Sequence, residues 1–139
     1  GDLNGDDGPA FVNSDENSYH VVTSDSGVDT TAVLDGFVIS GGNADGVEPG
    51  NNGGGMINDG GSPTVANCTF VGNQAIGYGG AIYNRDNNLA ISGCTFSRNA
   101  ATPKKITGNT VATVCCCFSS SDRKRFDSWS LRAMAPTLP

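Results

Sequence analysis

The sequence predicts an all-β chain, a solenoid of coiled parallel strands, on three observations. Three segments superpose without gaps, LDGFVISGGNA from Leu34, VANCTFVGNQA from Val65 and ISGCTFSRNAA from Ile91. A second short run recurs between them in the same order, GGMIN at Gly54–Asn58 and GGAIYN at Gly79–Asn84. Twenty glycines against six prolines, with 37% hydrophobic and 7% aromatic residues, describe many tight backbone positions and few bulky core residues, which disfavours a helical bundle. At 139 residues the chain has the length of one domain and is too short for most complete enzymes of the large all-β classes.

Each repeat reads as a short strand between two bends. The first position is Leu34, Val65 or Ile91, the fourth Phe37, Cys68 or Cys94, and the sixth Ile39, Phe70 or Phe96. Apolar residues two apart have the period of a strand, so Ile39, Phe70 and Phe96 are expected to point inward as one ladder. The third position is Gly36, Asn67 or Gly93 and the ninth is Gly42, Asn73 or Asn99. Gly and Asn share tolerance of positive φ. Asn73 and Asn99 are therefore expected at positive φ or beside a residue that has it, with Val strained there, Gly nearly neutral, and the amides free to bond along the coil axis.

The second run sets the period. Gly55 to Gly80 is 25 residues and Phe70 to Phe96 is 26, so one turn of the solenoid is about that long. Leu34 to Val65 is 31, and the extra length falls in 43–53, where Gly, Asn, Asp, Glu and Pro dominate as in a surface loop. Leucine-rich repeats have a similar period but need closely spaced leucines, and 1–102 holds only Leu3, Leu34 and Leu89. A β-sandwich accommodates such strands but gives no reason for the same bend residues at the same offsets.

The chain divides near Thr102 into a repeat region, 1–102, and an off-pattern tail, 103–139. The first holds two basic residues, Arg85 and Arg98, against twelve acidic ones, a net of −10; the second holds six against two, a net of +4. Three readings of the tail stand. It is a cap, with Phe126, Trp129, Ala133 and Met134 along one side of a short helix; or a disordered basic tail; or a frame-shifted translation, favoured by the abrupt loss of every repeat property and by the Cys115, Cys116, Cys117 triplet. The Arg123, Lys124, Arg125 run reads as a solvated patch. An overall charge of −6 opposes binding to phosphate backbones, so nucleic acid is not an expected partner. No run has the apolar length to span a bilayer, and Gly1, Asp2 and Leu3 stand where the charged start of a signal peptide would.

The motifs GG[AM]I and FxxN, present as Gly54–Ile57, Gly79–Ile82, Phe70–Asn73 and Phe96–Asn99, resemble the repeats of chlamydial polymorphic outer membrane proteins. They are equally similar to bacterial right-handed parallel β-helix proteins of the pectate-lyase-like superfamily, as are Val33–Asn43 and Gly53–Asn58. The likeness covers Val33–Ala101 firmly and Gly1–Ala32 loosely. It implies a right-handed parallel β-helix of about four coils, a fragment with open ends, from a secreted or surface-exposed bacterial protein. Two functions follow from the resemblance: a non-catalytic structural or adhesive module that meets a glycan, a cell-surface protein or further coils of a parent chain, or a fragment of a polysaccharide lyase or glycoside hydrolase whose catalytic coils lie elsewhere.

Enzymes of that superfamily use carboxylates to hold calcium with an Arg or Lys as base, or clustered aspartates with a His. Arg85 beside Asp86 offers a base next to a carboxylate, but a solvated ion pair explains the same letters. His20, in SYHVV, reads as a structural or exposed histidine, and Asp6–Asp7 is an acidic pair without a partner. No catalytic, cofactor or metal residue is assigned. Asp2, Asn4 and Asp6 alternate like the first ligands of a calcium loop, but Asp7 stands where the turn needs Gly and Asn13 where a bidentate Glu belongs, which leaves weak calcium binding at this acidic loop as the only cofactor expectation. Cys68 and Cys94 occupy one position of consecutive coils and read as small buried hydrophobes, with a disulfide as the lesser reading. The triplet at Cys115–Cys117 lacks zinc-knuckle spacing. Asn67, Cys68 and Thr69 form a glycosylation sequon, although Asn67 already serves as a bend.

Overall fold

The computed structural model describes residues 1–86 and 88–102 and, beyond them, the backbone of 113–114, 124–125 and 129–131. It is all-β, with a single turn of 3₁₀ helix at Pro9–Phe11. Parallel strands stack as rungs in four sheets, an arrangement compatible with a β-helix. The first coil carries β1 (Val22–Asp25), β2 (Val33–Asp35), β3 (Val38–Ser40) and β4 (Asn43–Ala44). The second carries β5 (Met56–Asp59), β6 (Thr64–Ala66), β7 (Thr69–Val71) and β8 (Gln74–Ala75), and the third β9 (Ile82–Arg85), β10 (Leu89–Ser92), β11 (Thr95–Ser97) and β12 (Ala100–Ala101). Three parallel coils stand where about four were expected, because 1–21 forms no strand. After them, β13 (Thr113–Val114), β14 (Lys124–Arg125) and β15 (Trp129–Leu131) pair antiparallel with β9, β11 and β10.

That pairing places tail backbone along three strand edges of the third coil, where unpaired N–H and C=O groups would otherwise stand open. Trp129 lies in a strand, so the short helix expected to carry it does not run through this position. Cys115–Cys117, Phe126, Ala133 and Met134 lie outside the described residues.

The repeat alignment is the strand register. Leu34 pairs Val65 and Val65 pairs Ile91; Ile39 pairs Phe70 and Phe70 pairs Phe96. With no strand longer than four residues among the described residues, a coil has little core of its own, and stability comes from stacking like on like. Phe70 and Phe96 are buried with ring centroids 5.3 Å apart and planes inclined by 14°, an offset stack along the axis. Each such side chain stabilises by roughly 2–3 kcal/mol through apolar burial. Met56 and Ile82 line a second ladder, Cys68 and Cys94 a third. Phe37, at the fourth position of the outermost described coil, departs from the pattern and is 57% exposed.

The bends fall where expected. Gly36, Asn67 and Gly93 have φ of 76°, 51° and 61°. At the second bend positive φ sits one residue before the aligned position, at Gly41, Gly72 and Arg98. That shift releases Asn73 and Asn99 to turn inward, where both are buried. Asn73 Nδ2 donates to Asn99 Oδ1 at 2.9 Å and to Ile39 O at 2.9 Å, while Asn99 Nδ2 donates to Phe70 O at 2.9 Å. Backbone N–H groups join the ladder, Gly42 N to Asn73 Oδ1 at 3.0 Å and Asn73 N to Asn99 Oδ1 at 3.1 Å. A second ladder links Asn58 Nδ2 to Asn84 Oδ1.

The second ladder corrects the spacing of the glycine run. Met56 pairs Ile82 and Asn58 pairs Asn84, a step of 26 rather than 25, so Gly55 stands opposite Ala81 and the first Gly of GGG is the one to align. A slip of one residue would exchange inward and outward faces along the whole strand. The glycines remain because the coil closes on itself there. A Cβ on Gly54 would lie 2.2 Å from Gln74 O, and one on Gly80 would lie 2.0 Å from Ala100 O.

Candidate functional site

The N-terminal segment, irregular in backbone, is fastened across the corner between β3 and β4. Asn43 Nδ2 donates to Ser14 O at 2.9 Å, Gln74 Nε2 to Ser14 Oγ at 2.7 Å, and Asn43 N to Ser18 O at 2.9 Å. Ser18 N in turn donates to Gly1 O at 3.2 Å, which draws the two ends of the segment together. The path crosses the positive-φ corner so closely that a Cβ on Gly41 would meet Asp2 N at 2.7 Å and Asp7 Oδ2 at 3.2 Å.

This folding collects carboxylates that are far apart in sequence. Oxygens of Asp2, Asp7 and Glu16 all lie within 4.8 Å of one another. Asp2 Oδ1 accepts from Gly5 N at 2.6 Å and its Oδ2 from Asp7 N at 3.3 Å, while Asp7 Oδ2 accepts from Asn17 Nδ2 at 2.7 Å. Glu16 Oε1 and Asn17 Oδ1 are buried and receive no hydrogen bond, and Asn17 as a whole is only 6% exposed. Beside the cluster opens a cavity of about 530 Å³, lined by Asp2, Asp7 and Phe11 on the N-terminal side and by Ser40, Gly41 and Arg98 on the coil side. The sequence pointed instead to Asp2, Asn4 and Asp6. Asp2 is in the cluster, but Asp6 is not part of it, because the segment folds back on itself and brings Asp7 and Glu16 to Asp2.

The other candidate residues lie apart from this cluster. Arg85 pairs with Asp59 of the preceding coil rather than chiefly with Asp86. Its Nε donates to Asp59 Oδ1 at 2.7 Å and its Nη2 to Oδ2, while Asp86 stands 3.9 Å away. Strand register causes this, since Asp59 and Arg85 are direct partners between β5 and β9. The guanidinium hydrogen bond holds the Asp59 carboxyl below the usual carboxylate range and outweighs desolvation; the same bond raises Arg85. Burial pushes the Tyr83 phenol up, offset in part by the Arg85 charge.

His20 Nδ1 lies 3.0 Å from Gly53 O, so the half-buried ring holds the start of the second coil through an Nδ1–H donor. Cys68 and Cys94 are free buried thiols, not a disulfide, directed at Leu34 O and Val65 O, and burial pushes the Cys94 thiol up. Asn67 is exposed and donates from Nδ2 to Asp35 Oδ1 at 2.8 Å, which occupies the amide of the sequon.

Glu16 and Asn17 are the members of the cluster that sequence reasoning missed. Their position follows from Ser14 and Ser18 being tied to β4 and β8, a tertiary contact for which the run SDENS carries no local signal. No helix among the described residues is long and apolar enough to cross a membrane. No family model matches the chain, and it has no significant match among curated proteins or solved structures.

Proposed function

We propose that the chain is a right-handed parallel β-helix segment acting as a non-catalytic structural or adhesive module of a secreted or surface-exposed bacterial protein. The hand is that of nearly all crossover connections between parallel strands. The observation that carries the reading is the engagement of Arg85, the basic residue of the parallel strands, in a two-point pair with Asp59. A general base must reach a substrate proton with an unshared electron pair, and this guanidinium is held protonated by its partner.

The outer faces support a binding role. Thr69 pairs Thr95 and Val71 pairs Ser97, alternating with the buried Phe70 and Phe96, so small half-buried side chains stack along the outer face. Such a face suits extended contact with a glycan or a surface protein more than enclosure of a single sugar.

The test incubates the full chain with polygalacturonate and alginate at alkaline pH, with and without calcium, and follows unsaturated product. No turnover is expected under either condition. Calcium-dependent turnover abolished by Arg85→Ala would make Arg85 the base and overturn the module reading.

A further inference from the structure

We propose that Asp2, Asp7 and Glu16, with the Asn17 side-chain carbonyl, form a calcium site that fastens the N-terminal segment across the corner of the stacked coils. Three carboxylates with oxygens within 4.8 Å of one another supply the hard, anionic donors that a divalent cation of this size prefers. Asn17 is only 6% exposed, its Nδ2 is bound to Asp7 Oδ2, and the carbonyl oxygen of the same carboxamide is buried without a donor.

Glu16, which supplies an oxygen to the cluster, likewise has a buried Oε1 without a donor. Two buried oxygens that receive no hydrogen bond are expensive in a folded chain unless something electropositive meets them. Among the described residues the ion pairs belong to Arg85, and no Lys or Arg forms one with Asp2, Asp7 or Glu16. A cation supplies in one step what both orphaned oxygens and the three like charges need.

The choice of calcium over magnesium follows from the donors. Magnesium holds a rigid octahedral shell and gives up water reluctantly, whereas calcium accepts irregular sets of carboxylates and amide carbonyls from a loop. The cavity beside Asp2 and Asp7 provides an entry path and room for water ligands. The consequence is mechanical: residues from both ends of a strandless segment are tied to one centre, next to Gly41, where that segment crosses the coils.

The experiment titrates CaCl₂ into the full chain by calorimetry at about 150 mM NaCl, where diffuse surface attraction is screened. Saturable one-site binding with a dissociation constant on the order of 10⁻⁴ M is expected, with magnesium weaker by about tenfold or more. Glu16→Gln is the decisive variant, because it neutralises a ligand whose Oε1 has no hydrogen bond to lose and so leaves the fold intact. It is expected to weaken calcium by about tenfold or more, as is Asp7→Asn, while Asp15→Asn, an exposed acid of the same segment, leaves it unchanged. The melting temperature of the parent chain should rise in calcium over EDTA, and that rise should vanish in Glu16→Gln. Absence of saturable binding, or equal weakening by Asp15→Asn and Glu16→Gln, would overturn the proposal.

Discussion

Replacing Asn73 separates two accounts of why asparagine recurs at the ninth position of the repeat. If it serves the bend, Asn73→Gly is nearly neutral. If it serves the ladder, Gly is as costly as Ala. The structure favours the ladder, because the residue with positive φ is Gly72, while Asn73 is fully buried.

Removing its side chain orphans the Gly42 N–H, which costs about 1–3 kcal/mol as a buried unsatisfied donor. It also deletes the donated bonds to Ile39 O and Asn99 Oδ1, each contributing about 0.5–1.5 kcal/mol. The total loss is about 2–6 kcal/mol, a large part of the roughly 5–15 kcal/mol expected for a domain of this size. Urea unfolding followed by far-UV circular dichroism would read it as a lowered midpoint at unchanged slope, in Asn73→Ala and Asn73→Gly alike. A loss below about 0.5 kcal/mol in Asn73→Gly would refute the ladder account, since a buried orphaned donor costs more than that.

Phe70→Ala, in the same unfolding assay, should cost about 3–5 kcal/mol, because it empties the centre of the Ile39–Phe70–Phe96 column. Asp59 titrates below its ordinary value in the folded chain, so its pairing with Arg85 stabilises above the unfolded pKa and is lost as pH falls through the folded one. Asp59→Asn should therefore reduce stability at pH 7 by less than about 1 kcal/mol, the pair being part exposed, and the difference should close in acid, below the ordinary aspartate value of 3.8. Cys68 and Cys94 should resist alkylation at mildly alkaline pH in the folded chain and react on unfolding, as mass mapping of the modified peptides would show.

Much of the stacking is legible because parallel strands stacked as rungs convert a linear repeat directly into spatial neighbours. Aligning Phe70 with Phe96 on paper is the same act as pairing them in β7 and β11. Cys68 and Cys94 were read as buried for the same reason. The glycine run reads one residue out of step because GGGMIN and GGAIYN match equally well by glycine or by asparagine, and the β5–β9 register, with its Asn58–Asn84 bond, decides for asparagine. The reading of Arg85 beside Asp86 holds only as a long, exposed pair and misses the main partner on the same geometry: Asp59, on the neighbouring coil, is 26 residues away, not one. The acidic cluster was least accessible, since Asp2, Asp7 and Glu16 meet through a segment that follows no repeat.

The first coil exceeds the second by eight residues, three between β1 and β2 and five between β4 and β5, and on either side of the longer insertion the strands stay in register: Asn43 meets Gln74, and Met56 meets Ile82. That corner is thus a natural point of variation, where a gene can lengthen the chain without rewriting the rungs. Closing a longer loop is inexpensive, about 0.6 kcal/mol for each doubling of its length. Val47, 88% exposed at this corner, marks where a grafted peptide, an epitope tag or a recognition loop would be displayed on a scaffold that does not register its arrival.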